Sequence, residues 1–429
     1  MRIFRKSLLI FWVITILLFG STAIAKEKNF TEKVLPNGAR FVYKQLPKAQ
    51  TVTARIIVPA GFLDEPREYL EIAHLLEHLV FRGKGQSAIS DSPELMDEDG
   101  NTYNAFTTLN RTEYILESTS ENLSVALPFF LDLILHPTLA PADIEKEKKI
   151  VTIEKALRTR PGDVFLTYLN HLTQNQLDSR IQAINREQLQ AFHREYYTLD
   201  QLTVIITGSF NVKEITDYLS ALPPPPTKAA RQHAPRPTNP LDQDIMLEDY
   251  LPGEKYRLLF GFNLKKLKGK ELIIAKTLPY ILTFESRQYD YVTNRPLDYD
   301  CYLFNLGEEF YLIFEYKDVQ EDYTLEMSKW HERNIRRYYK YLKAKDFSRF
   351  LKALAKNLEN QLKLIEASPN LLGEYYARLI FEPTTISKAD LTAIKRLSSS
   401  DLKKFVEKYL EEQDYHQVVI KAQKPEGNN

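Results

Sequence analysis

Two spacings of apolar residues divide the first two hundred positions of this chain. Residues 39–43, 51–58, 101–107 and 111–118 are short runs rich in β-branched and aromatic side chains. Turn signals flank them at Leu35-Pro36-Asn37-Gly38, Ala60-Gly61 and Leu109-Asn110. Such runs predict strands of a sheet. Elsewhere the period becomes helical. Leu123, Ala126, Leu127, Phe130 and Leu131 share one face of a predicted helix over 121–135, which His136-Pro137 ends. Pro141 opens the next helix at a favoured first-turn position, and Asp143 and Glu145 suit its positive end. That helix runs to residue 157, an amphipathic helix follows over 187–197, and residues 202–208 read as a buried strand.

From Leu222 to Pro240 the pattern breaks into scattered prolines, a semi-rigid linker between domains. Past it, Ala393-Ile394, Leu402, Phe405, Tyr409 and 418–420 echo Ala183-Ile184, Leu189, Phe192, Tyr196 and 204–206. A repeat near two hundred residues long predicts duplicated domains rather than a solenoid. The expected layout is a signal peptide over 1–25, a first domain over 26–222, the linker over 223–240 and a second domain over 241–429.

Composition adds constraints without redirecting this picture. The 429 residues are 44% hydrophobic and 27% charged, and 57 basic side chains balance 57 acidic ones. Nothing in that balance calls for nucleic acid or an anionic membrane as partner. One cysteine, Cys301, excludes an internal disulfide, and a buried structural thiol is its expected state. The start of the chain is basic through Lys6, apolar from Leu8 to Gly20, and small-residue-rich at Ser21-Thr22-Ala23-Ile24-Ala25. This is the pattern of a secretory signal cut after Ala25, so a periplasmic or secreted protein without a stable membrane span is expected. Retention of the segment as an anchor is the alternative.

The chemistry concentrates in His74-x-x-Glu77-His78. Residues four apart share a helix face, so both imidazoles can hold one zinc ion, and Glu77 is placed to act as a general base. Zinc needs a further protein ligand. Glu147 and Glu154 lie on one face of the 141–157 helix; they fit either a solvated ladder of charge pairs or such a ligand.

With these residues assembled, the chain resembles the pitrilysin family of zinc metallopeptidases, in particular its short two-domain branch that includes mitochondrial processing peptidase. The likeness runs in order through Leu35-Pro36-Asn37-Gly38, Ala60-Gly61, Asp64-Glu65-Pro66, residues 73–78, Phe81-Arg82-Gly83, Asn104-Ala105-Phe106-Thr107, Pro137 and residues 147–154. It implies an α+β protein of two similar domains, each a mostly antiparallel sheet packed with helices, closing like a clam around a chamber. It implies one zinc per chain on His74, His78 and Glu154, with Glu77 as base and Glu147 orienting the ligands from behind. Asn104 would bind the main chain of an unfolded peptide substrate beside an edge strand, and Tyr299 would help hold that substrate.

Three departures stand out. Glu71 replaces a glycine usual in the family, the loop after the third ligand is shortened to residues 168–180, and Val292 stands where an arginine is usual. The missing arginine points to a heterodimer with a metal-free homologue, with a homodimer as runner-up. The expected function is zinc-dependent endopeptidase activity; the alternative is an inactive homologue serving as a binding or scaffold subunit.

Overall fold

Strand β3 (Thr51–Val58) is buried at seven of its eight positions, which places it inside a sheet covered on both faces. The structure, a computed structural model, describes residues 30–82, 95–96, 100–157, 174–225, 244–249, 256–286, 289–290, 295–296, 299–319, 344–411 and 415–422. The expected signal segment, the linker beyond residue 225, Gly83, the loop start at Tyr168 and Val292 lie outside the described residues.

The first sheet has the order β1 (Thr31–Val34), β2 (Arg40–Gln45), β7 (Thr203–Gly208), β3, β6 (Thr112–Thr119), β5 (Thr102–Thr107) and β4 (Leu95–Met96). Only β2 and β7 run parallel; the other neighbours are antiparallel. Its helices are α1 (Ile72–Val80), α2 (Leu123–Leu135), α3 (Pro141–Leu157), α4 (Gln174–Ala183), α5 (Arg186–Tyr196) and α6 (Val212–Ala221). The predicted strands and helices fall within a residue or two of these bounds. The additions are β1, a short and mostly exposed edge strand, the two-residue β4, and α6.

The second sheet comprises β8 (Ile245–Asp249), β9 (Tyr256–Asn263), β12 (Tyr299–Leu306), β13 (Glu309–Val319) and β14 (His416–Ala422). Its order is β12-β13-β9-β14-β8, with β8 and β14 parallel and the other pairs antiparallel. A separate antiparallel pair is formed by β10 (Tyr289–Asp290) and β11 (Arg295–Pro296). Helices α7 (Gly269–Ser286), α8 (Ala344–Ala367), α10 (Lys388–Ile394) and α11 (Ser399–Val406) form the second core with this sheet.

The two sheets share one topology, since β8, β9, β12, β13 and β14 occupy the places of β2, β3, β5, β6 and β7. The sequence echo has a matching physical form. Asn185 and Ser398 cap α5 and α11 with reciprocal capping boxes. Phe192 and Tyr196 meet at 4.7 Å between ring centroids, and Phe405 and Tyr409 at 4.6 Å.

One helix crosses between the halves. Helix α9 (Pro369–Phe381) lies in sequence within the second half but packs on β3 and β7 of the first sheet. Leu372, Tyr376 and Ala377 meet Val42, Ile57 and Ile205 there. Gly373 permits the approach, because a Cβ at that position would stand 3.1 Å from Thr207 Oγ1. Beneath α9, Glu113 is fully buried between Arg55 (2.8 Å) and Arg111 (2.6 Å). Arg111 also reaches Glu382 at 2.8 Å, just past the helix end. With α9 on this face, α1 and α3 belong to the opposite one. Among the described residues, no helix is long and apolar enough to cross a membrane.

Candidate metal centre

Helix α1 is buried along nearly its whole length, with Leu75, Leu76, Leu79 and Val80 in the first core. That packing fixes its rotation and turns His74 and His78 toward α3, which packs against it. Helix α3 in turn buries Ile144 and Val151, which sets Glu147 and Glu154 on the side facing α1. The alternative of a solvated charge ladder fails for Glu147, whose side chain is 1% exposed.

His74, His78 and Glu154 each direct one ligand atom to a common point. Their Nε2, Nε2 and Oε2 atoms form a triangle with sides of 3.2 Å (His74–His78), 3.3 Å (His74–Glu154) and 3.6 Å (His78–Glu154). Zinc bonds of about 2.0–2.1 Å in a tetrahedral shell place neighbouring ligand atoms about 3.3 Å apart. The triangle therefore fits one face of such a shell, and two nitrogens with one carboxylate oxygen are a donor set zinc favours.

The far nitrogen of each imidazole meets a carboxylate. His78 Nδ1 lies 2.9 Å from Glu147 Oε2, and Arg82 Nε donates to the other oxygen of Glu147 at 2.8 Å. His74 Nδ1 lies 3.0 Å from Glu71 Oε2, and Lys155 Nζ lies 3.3 Å from Glu71 Oε1. These contacts leave both Nε2 atoms directed at the triangle's centre.

Protonation follows from the same contacts. Burial alone lowers the pKa of His78, but its bonds to Glu147 and Glu154 outweigh this and push it up to about 10. Burial likewise opposes the imidazolium of His74, yet Glu154 and Glu71 raise it. Hydrogen bonds from His74 and His78 hold the Glu154 carboxyl well below the usual range. Burial opposes ionisation of Glu147, but His78 and Arg82 keep it below the usual range too.

The N-terminus of α1 is unusual. Glu71, its N-cap, has φ 70°, a left-handed conformation that costs a non-glycine residue roughly 1–2 kcal/mol. Its own side chain does not cap the helix. The buried Glu65 carboxylate accepts the amides of Glu71 (2.8 Å) and Ala73 (2.9 Å) instead. Burial, and then the nearby Glu71, push the Glu65 carboxyl well up.

Glu77 projects from α1 toward β5, where its Oε2 accepts a 2.7 Å hydrogen bond from the Thr107 hydroxyl. The short β4 pairs only with Thr102 and Tyr103 of β5. Among the described residues, positions 104–106 have no strand paired on that side. Asn104 sits on this stretch, and its Oδ1 accepts the amide of Ala105 at 2.7 Å. Tyr299 lies on β12 in the second half, half-buried: its hydroxyl donates to the Leu282 carbonyl at 2.8 Å, and its ring packs on Phe314 and Tyr316.

Thr107, Lys155 and Arg82 are site residues that sequence reasoning left without a role. Thr107 and Arg82 lie in the motif stretches already noted, but their partners are 30 and 65 residues away in the chain. No spacing rule reaches that far.

Two family models match consecutive parts of the chain. Residues 40–182 match insulinase (peptidase family M16), and residues 183–354 match the peptidase M16 inactive domain. An uncharacterized zinc protease of Mycobacterium leprae is 28% identical over 201 residues, 44% of this chain and 45% of that protein. A probable mitochondrial-processing peptidase subunit beta of Arabidopsis thaliana is 24% identical over 242 residues, 53% of this chain and 45% of that protein. The chain thus spans about half the length of the curated relatives it matches. A crystal structure of a protease from Helicobacter pylori superposes with a TM-score of 0.71 at 16% identity, covering 91% of this chain and 99% of that one.

Proposed function

Because this chain belongs to the M16 (insulinase) family of peptidases, we propose that it is a zinc-dependent endopeptidase that hydrolyses peptides presented in extended form. The observation that carries this reading is the triangle of His74, His78 and Glu154 with Glu77 beside it on the same helix. Zinc, when bound there, supplies a Lewis acid that lowers the pKa of water to about 7 and polarises a carbonyl.

The chain's own residues do the rest. Glu77 takes the proton of the attacking water and returns it to the leaving amine, acting as base and then acid without a covalent intermediate. Thr107 holds one oxygen of that carboxylate, which orients the other. The edge at 104–106, with no strand paired to it among the described residues, offers main-chain amides and carbonyls to an extended peptide, a β-augmentation mode that favours unfolded segments. Asn104 stands on that stretch and is the proposed main-chain contact.

The second half carries no comparable ligand set among the described residues, and its match to an inactive-domain model supports a role in holding substrate or a partner. We assign the assembly as a heterodimer with a metal-free homologue, with a homodimer as the runner-up. Export through residues 1–25 completes the reading. Metal analysis of the purified protein tests it: one zinc per chain is expected, reduced to a trace in a His74→Ala, His78→Ala double variant. Zinc retained by that variant would place the metal elsewhere and remove the basis for the proposal.

A further inference from the structure

The two histidines are supported by reciprocal arrangements. His78, on α1, meets Glu147 on α3, and the cation on that carboxylate is Arg82, just past the end of α1. His74, also on α1, meets Glu71 at the N-cap of α1, and the cation on that carboxylate is Lys155 of α3. Each unit is a histidine, a carboxylate and a cation, and each ties α1 to α3. The Glu147 unit accords with the family resemblance. The Glu71 unit does not, since glycine is usual at that position.

Three observations indicate that Glu71 is more than a tolerated substitution. Its backbone is left-handed, where glycine would be free of strain. Its carboxylate is almost fully enclosed, yet both oxygens have partners, His74 Nδ1 at 3.0 Å and Lys155 Nζ at 3.3 Å. Lys155 also lies 4.9 Å above the ring of Phe62, and that ring meets the His74 imidazole edge-on at 6.4 Å. Phe62 and Glu71 thus both meet His74, and Lys155 contacts each of them.

We propose that Glu71 is a positioning residue of the metal centre, one carboxylate that sets the His74 tautomer and, through Lys155, the seat of Glu154. An acceptor at Nδ1 keeps the proton there and leaves Nε2 free to ligate. Lys155 follows Glu154 directly in α3, so its ion pair with Glu71 fixes how that turn of α3 lies against α1. One side chain thereby holds two of the three ligands in mutual register. This inference rests on the zinc-peptidase reading.

The test compares wild type with Glu71→Gly and Glu71→Gln, using zinc affinity by chelator competition, the visible spectrum of the Co2+-loaded protein, and the melting temperature of the zinc-free form. Loss of a partner behind a ligating histidine weakens metal binding about 10–100-fold. Glu71→Gly is expected to show that loss and an altered Co2+ spectrum, while in its zinc-free form relief of the left-handed strain partly offsets the lost buried pair with Lys155. Glu71→Gln, which keeps an acceptor and drops the charge, is expected to fall between the two. If Glu71 only shaped the turn, Glu71→Gly would bind zinc as tightly as wild type with an unchanged spectrum; that result overturns the proposal and leaves the peptidase reading standing. Should Glu71→Gly fail to fold, a Glu71→Gln affinity equal to wild type overturns it equally. A wild-type chain that takes up no zinc would overturn both.

Discussion

The Thr107 hydroxyl donates a 2.7 Å hydrogen bond to Glu77 Oε2, joining the proposed base on α1 to β5, the strand that carries Asn104. On the proposed reading, one strand would position both the base and the peptide. Removing the donor with Thr107→Val keeps the β-branched shape. A hydrogen bond to a charged group is worth about 1.5 kcal/mol at the low end, or roughly tenfold in rate. Steady-state cleavage of a quenched peptide should show kcat lower by about that factor, with zinc content unchanged and KM little altered. Equal kcat values would show that Thr107 does not orient Glu77.

Glu147 stands behind His78, held by Arg82. Glu147→Ala removes the acceptor at Nδ1 and leaves Arg82 without this carboxylate. Zinc affinity is expected to weaken by about 10–100-fold. Chelator competition measures this directly, and unchanged affinity would exclude a supporting role for Glu147.

A separate prediction concerns the seam under α9. Glu113 is enclosed between Arg55 and Arg111, so Glu113→Gln leaves two buried cations short of their shared counter-charge. Breaking a buried pair in this way costs about 3–5 kcal/mol. Denaturant unfolding should show a loss of that order. Because the seam lies on the sheet face opposite α1, zinc affinity of the folded variant should stay at the wild-type value.

The pH response should differ between the zinc-free and zinc-loaded protein. Burial opposes the His78 imidazolium, but Glu147 and Glu154 push its pKa up to about 10, above the ordinary value of about 6.5. A raised histidine stabilises the fold fully below the unfolded pKa and loses that contribution as pH rises through the folded one. Zinc requires the neutral imidazole, so its binding competes with this proton and strengthens as pH rises. The gap in melting temperature between zinc-loaded and chelated protein should therefore widen from about pH 6 to about pH 9. A gap that narrows over that interval would contradict the ligand assignment.

The sequence was most legible where periodicity and chemistry coincide. Strand β3 and helix α2 followed directly from spacing, because each buries a continuous apolar face. Strand β1 was missed: its burial is slight, so no apolar period marks it. The second sheet was foreshadowed only by the echo around Leu402 and Phe405, because β9 and β13 are apolar runs that spacing alone does not order. Helix α9 reads as an ordinary amphipathic helix, and nothing in its pattern assigns it to the sheet of the other half. At the site, His74, Glu77 and His78 were visible as one motif on one helix. The contacts of Glu71 with Lys155 and of Glu77 with Thr107 depend on how separate elements pack, and they became visible only in three dimensions.

The central claim is that His74, His78 and Glu154 hold the zinc and Glu77 moves the proton. The most direct measurement is peptide cleavage by Glu77→Gln against wild type, with zinc content determined on the same samples. The account predicts one zinc per chain in both proteins and a rate lower by about 10²–10⁴-fold in the variant. Full zinc occupancy with wild-type cleavage by Glu77→Gln would contradict it.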